Sequence, residues 1–181
     1  VVEANLAPAP DVATFLRESR ASFAAAAAAG LAPYRLHYNG QLADSGGGGH
    51  LTLGGPTPEC SPFLTQPHLL PALLGYFNRH PALSFLFATD FVGSSSQAPR
   101  SDERTADVFQ EFGLALALLK RQRNPTPDLL WRSLSPFLAD PSGNPHRTEI
   151  NIEKLWNPDL PGRGRQGLIE FRAFRMPPSP E

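Results

Sequence analysis

Cysteine occurs once in the 181 residues, at Cys60, which excludes an intrachain disulfide and a cysteine-cluster metal site and fits a reducing compartment. The expected location is the cytoplasm. The setting of Cys60, "PECSPF", carries no nucleophile motif, so the thiol reads as structural. Methionine also occurs once, at Met176, so the chain reads as a piece of a larger parent protein. Lysine is scarce, because fourteen of the sixteen basic residues are arginine. That bias suits planar recognition of carboxylate or phosphate; alanine- and arginine-rich coding explains it as well. No apolar run approaches the roughly 20 residues that span a bilayer, and "VVEANLAPAP" lacks the basic start and cleavage pattern of a signal peptide. An excess of charge is missing too: the formal net charge of -1 gives no long-range field for a polyanion. Neither nucleic acid nor membrane is an expected partner.

What is present describes one globular domain over residues 1–176 with a tail at 177–181. "APDVATFLRESRASFAAAAAAG" reads as a helix with Asp11 as N-cap, an apolar stripe of Val12, Phe15, Leu16 and Phe23, and Gly30 as its stop. "QPHLLPALLGYFNRH" is a second helix with a broad leucine face, and "TPDLLWRSLSPFLAD" a third, between Pro127 and Pro136. "DVFQEFGLALALLKRQR" fits two periods: Phe112, Leu114, Leu116 and Leu118 alternate, while Phe109, Phe112, Leu116 and Leu119 follow a helix. The alternation predicts a strand.

Five segments alternate in the manner of half-buried strands. "VVEANL" sets Glu3 and Asn5 on one face, "RLHYN" Arg35, His37 and Asn39, and "HLTL" His50 and Thr52. "RTEINIE" sets Arg147, Glu149, Asn151 and Glu153 together, and "LIEFRAF" Glu170 and Arg172. The pattern predicts an α+β fold, a largely antiparallel sheet with helices on its apolar face. A solvated second face would produce the same alternation; the lack of lysine there and the abundance of metal- and phosphate-binding groups suit a catalytic trough.

The glycine-rich turn "DSGGGGH" lets backbone amides of Gly48 and Gly49 approach a phosphate while His50 bonds its oxygen or a cation. It is neither a Walker loop nor a dinucleotide fingerprint. A flexible hairpin with an incidental histidine is the plainer alternative. Glu3, Glu149 and Glu170 form an oxygen set suited to magnesium or manganese. Arg147 and Arg172 each share a strand face with a glutamate and would grip a phosphoryl group; cross-strand ion pairing is the alternative.

In order along nearly the whole chain, "VVEANLAP", "GGGGHLTLGG", "HPALSFLF" with "SSSQAPRSDE", "SGNPHRTEI" and "GLIEFRAFRMPP" resemble the amidoligase domain at the end of long bacterial proteins that often begin with a transglutaminase-like domain. That family is similar to glutamine synthetase and the carboxylate-amine ligases. The resemblance implies a curved antiparallel sheet with helices on its outer face, here a partial catalytic domain. It implies Glu3 and Glu170 as metal ligands, His50 at metal-bound nucleotide phosphate, Arg100 on substrate, Arg147 on phosphate and Arg172 on the transferred phosphoryl group. Glu149 joins the metal set on geometry alone. Two departures stand out: Gly49 replaces the asparagine expected before the histidine, and the glutamates of earlier strands are missing.

The expectation is therefore a fragment of an ATP-dependent carboxylate-amine ligase that works through an acyl phosphate. ATP and Mg2+ or Mn2+ would be its cofactors, and small-molecule or peptide carboxylates and amines its substrates. The remainder of the parent chain is an expected partner. A degenerate ligase fold serving as a binding module, and a guanidino-group phosphotransferase on the same scaffold, are the alternatives.

Overall fold

Three of the helical segments form where caps and apolar spacing place them. In the computed structural model, which describes residues 2–44, 49–88, 93, 96, 98–103 and 108–180, α1 spans Val12–Ala28. Asp11 accepts a 2.7 Å bond from Thr14 N–H at its start. At its end Gly30, with φ +73°, lets Leu31 N–H reach Ala26 O and its own N–H reach Ala27 O, so the last carbonyls are satisfied. Only Ser19 of α1 is buried, so alanine propensity and capping sustain this helix more than packing does.

A hairpin follows, β1 (Tyr34–Leu36) with β2 (Leu42–Asp44), closed by a turn in which Gln41 N–H bonds Asn39 Oδ1. β3 is Leu51–Leu53. Helices α2 (Pro62–Thr65), α3 (Leu69–Arg79), α4 (Ala82–Phe85), α5 (Val108–Arg121) and α6 (Pro127–Leu134) come next, then β4 (Ile150–Asn151) and β5 (Ile169–Phe171). Thr126 caps α6 by accepting from Leu129 N–H, and Pro127 supplies a preset φ at its first position.

The segment "DVFQEFGLALALLKRQR", expected as a strand, is the helix α5. Phe112 and Leu119 are buried and Leu116 half-buried on the face meeting α3 and α6, whereas Leu114 and Leu118 are 62% and 51% exposed. The alternating reading would have buried all of Leu114, Leu116 and Leu118, and the helical face outcompetes it because it joins an existing core.

The expected single curved sheet is, among the described residues, two small antiparallel ones: β1-β2, and a three-stranded sheet in the order β3-β5-β4. "VVEANL" is not a strand, and residues 2–9 have no regular structure. An extended segment is stable only where a partner bonds its backbone groups, and among the described residues none pairs with it. β4 is short because Asn151 Oδ1 accepts from Glu153 N–H at 2.8 Å and turns the chain.

One core joins the helices to the three-stranded sheet. Leu70, Leu74 and Phe77 from α3, Phe112 and Leu119 from α5 and Leu130 and Leu134 from α6 pack with Ile150, Ile152, Ile169 and Phe171. Each fully buried aliphatic or aromatic side chain contributes ~1.5–3 kcal/mol relative to an exposed one. The result is an α+β arrangement with helices on the apolar side of a small antiparallel sheet. Among the described residues no helix is long and apolar enough to cross a membrane.

Candidate functional site

Register builds the site. Thr52 pairs with Glu170, and Glu170 with Asn151, so these three lie in one row across the sheet. Two-residue alternation adds His50 and Arg172 to the same face and sends Ile150, Ile169 and Phe171 into the core. The face is not simply solvated: Glu170 and Asn151 are buried.

Cations converge on Glu170. Arg172 Nη1 donates to Oε1 at 3.1 Å, His50 Nδ1 lies 3.2 Å from the same oxygen, and Lys154 Nζ lies 3.8 Å from Oε2. The His50 hydrogen bond, with the charges of Arg172 and Lys154, outweighs burial and pulls the Glu170 carboxyl down to about 2. The Arg172 guanidinium is fixed at its other side, where Nε donates to His146 O at 2.8 Å, and the Arg172 backbone N–H donates to Glu149 O at 2.9 Å. Asn151 Nδ2 donates to Pro145 O at 2.6 Å, which ties the 145–147 turn to β4.

Gly49 sets the position of His50. A Cβ there would overlap the carbonyl of Arg175 and lie 2.9 Å from Phe174 O, so the backbone before β3 lies directly on the strand end after β5. The asparagine expected at 49 has no room in this arrangement. Gly48 lies outside the described residues.

Arg100 and Glu149 meet each other in a second cluster. Arg100 is 1% exposed, and its Nε and Nη2 form a two-pronged pair with Asp102 at 3.0 and 3.2 Å. Nη1 donates to Ser84 Oγ at 2.8 Å and lies 3.7 Å from Glu149 Oε2, while Nη2 donates to Asn78 O at 3.1 Å. Ser84 Oγ donates to Glu149 Oε2 at 2.5 Å. Burial pushes the Glu149 carboxyl up, with Ser84 and Arg100 opposing. The guanidinium expected on substrate is thus spent on tying α3, α4 and the 101–103 turn to the residue that precedes β4.

Arg147 stands apart from both clusters on the 140–147 loop. Its Nη2 donates to Ser96 O at 2.9 Å and its Nε lies 3.6 Å from Asp140 Oδ2. Hydrogen bonds from Ser142 and Asn144, with the Arg147 charge, lower the Asp140 carboxyl. Glu3 is exposed in the irregular segment 2–9.

Of the four expected metal ligands, then, His50 and Glu170 come together while Glu3 and Glu149 do not join them. Among the described residues no group of three histidine, cysteine, aspartate or glutamate side chains could hold an ion. With Arg172 and Lys154 beside it, Glu170 is already compensated, and the donor set does not fit a resident magnesium or manganese ion, which requires a near-octahedral shell of oxygens. Arg172 and Lys154 are instead groups of the kind that pair with phosphate or carboxylate oxygens. Lys154 escaped the sequence reading because it follows the strand; nothing in the alternation reaches it.

The family model described as "Putative amidoligase enzyme (DUF2126)" matches residues 1–181. The chain belongs to this family. No curated protein and no solved structure matches it.

Proposed function

We propose that this amidoligase-family chain forms part of an ATP-dependent ligase that joins a carboxylate to an amine. The observation that carries this reading is the convergence of His50, Arg172 and Lys154 on Glu170, on the polar face of the three-stranded sheet. In the first step a substrate carboxylate oxygen attacks the γ-phosphorus of ATP, and the bond to the β-bridging oxygen breaks to release ADP. An amine nitrogen then attacks the acyl carbon, phosphate departs with the bond electrons, and the nitrogen loses a proton to give the amide.

The Arg172 guanidinium is already braced by Nε on His146 O and Nη1 on Glu170, so it is held in place without reorganising as charge develops on the transferred group. Lys154, whose side chain is 46% exposed, adds a solvent-accessible cation, and His50, donating through Nδ1, keeps Glu170 ionised. Arg147 keeps 35% of its side chain accessible and is a further phosphate contact. The Arg100–Glu149 pair acts as a strut for Arg172, through the Glu149 carbonyl.

Product analysis tests the reading: incubation of the parent protein with ATP and a panel of carboxylates and amines yields ADP, phosphate and an amide. Carboxylate labelled with 18O passes one label into the phosphate. A phosphorylated guanidine would point to the phosphotransferase. ATP turnover absent under every pairing would point to a binding module, a reading that gains from the separation of Glu3 and Glu149 from His50 and Glu170.

A further inference from the structure

The 145–153 segment has two sides. One braces the phosphate-suited face, through His146 O on Arg172 and Asn151 on Pro145 O. The other borders a cavity of about 320 Å³ whose walls include Trp131, Pro136, Ala139 and Pro145, with Ser135, Glu153 and Asn157 as polar members. That volume lies at the lower end of the ~300–1,000 Å³ range of small-molecule sites.

Glu153 is the one ionisable residue among those that line it. Its Oε2 lies 3.3 Å from His146 Nε2 but, among the described residues, makes no hydrogen bond, although the atom is buried. A buried carboxylate oxygen without a donor is costly and calls for a partner. An anion would meet like charge at Glu153, and a purely apolar ligand would leave the oxygen unmet. A divalent metal would find a single carboxylate where several oxygens are needed. A monovalent ammonium on an alkyl chain answers every wall: its N–H groups serve Glu153, its charge lies near the Trp131 ring, and its methylenes meet the proline and alanine surfaces.

We propose that this cavity binds a protonated primary alkylamine. Binding itself follows from the cavity; that the amine is the acceptor of the ligation rests on the ligase reading and on the segment the two sites share.

The chain holds two tryptophans, so a 15N-labelled sample gives two indole signals, which Trp156→Phe assigns. Titration with n-butylamine at neutral pH is expected to move the Trp131 signal saturably, and Glu153→Gln to weaken binding at least about tenfold with an unchanged melting temperature. n-Butanol, of similar size but uncharged, is expected to leave the signal in place. No saturable shift with n-butylamine, an equal response to n-butanol, or unaltered affinity in Glu153→Gln would each overturn the inference. ATP is titrated into the parent protein: amine binding without ATP binding by the parent would remove the ligase reading alone, and ATP binding by the parent without amine binding would remove this inference alone.

Discussion

Arg100→Met removes the cation from a buried carboxylate and is the sharpest test of the packing beneath the site. Glu149 is 3% exposed, with Arg100 Nη1 3.7 Å away and Ser84 Oγ as its donor. Deleting one partner of such a pair leaves an uncompensated buried charge and costs about 3–5 kcal/mol. For a domain of this size each kcal/mol lowers the melting temperature by about 2–4 °C, so the expected loss is about 6–20 °C. The penalty also depends on pH in a defined direction. Burial already raises the Glu149 carboxyl above its ordinary value, and loss of Arg100 raises it further. The folded state then binds a proton more readily than the unfolded one, and stability falls as pH rises through that window. Urea unfolding of wild type and variant from about pH 5 to about pH 8 is therefore expected to show the penalty growing with pH. Adding Glu149→Met to Arg100→Met removes the stranded charge and is expected to recover part of the loss, a coupling of about 0.5–3 kcal/mol. A single-variant loss below about 1 kcal/mol, or a penalty that shrinks toward high pH, would refute the reasoning.

Three further outcomes follow from other parts of the fold. Glu170 has its carboxyl lowered to about 2, so it contributes stability above its ordinary value that is lost as pH falls toward about 2; Glu170→Gln is expected to flatten that acid limb in a thermal-melt series. Gly49→Ala places a Cβ on the Arg175 carbonyl, and a destabilisation of about 1–3 kcal/mol by urea titration is expected, together with a shifted His50 imidazole signal in NMR spectra. Phe112→Ala, on the buried face of α5, is expected to cost about 3–5 kcal/mol, whereas Leu114→Ser, on the exposed face, stays within about 0.5 kcal/mol; comparable losses at both would contradict the helical assignment.

Local signals in the sequence carried the helices well. Asp11 and Pro127 act at the helix starts where they were expected, and Thr126, not singled out in the sequence, caps α6, because capping depends on neighbours three residues away. α5 was ambiguous because Phe112 and Leu116 satisfy both periods, and only the core into which the segment docks decides between them. The polar face of β3 and β5 was legible for the opposite reason: His50, Thr52, Glu170 and Arg172 satisfy one period and no other. Glu149 shows where that logic stops. It shares the parity of Asn151, yet it precedes β4, and its side chain turns to Ser84 and Arg100. Their pairing spans a long stretch of chain and leaves no periodic trace. Gly49 read as a flexible or phosphate-cradling residue; the close approach of Arg175 that excludes a side chain there belongs to tertiary structure.

The central claim is that the face around Glu170 holds nucleotide phosphate through His50, Arg172 and Lys154. Calorimetric titration of ATP into the parent protein, with and without magnesium, tests it most directly against Arg172→Met and His50→Ala. The account predicts saturable binding by the wild type, weakened at least about tenfold in each variant when measured below the onset of each variant's own thermal unfolding. Equal affinity in all three proteins, or no heat from the wild type, would contradict it.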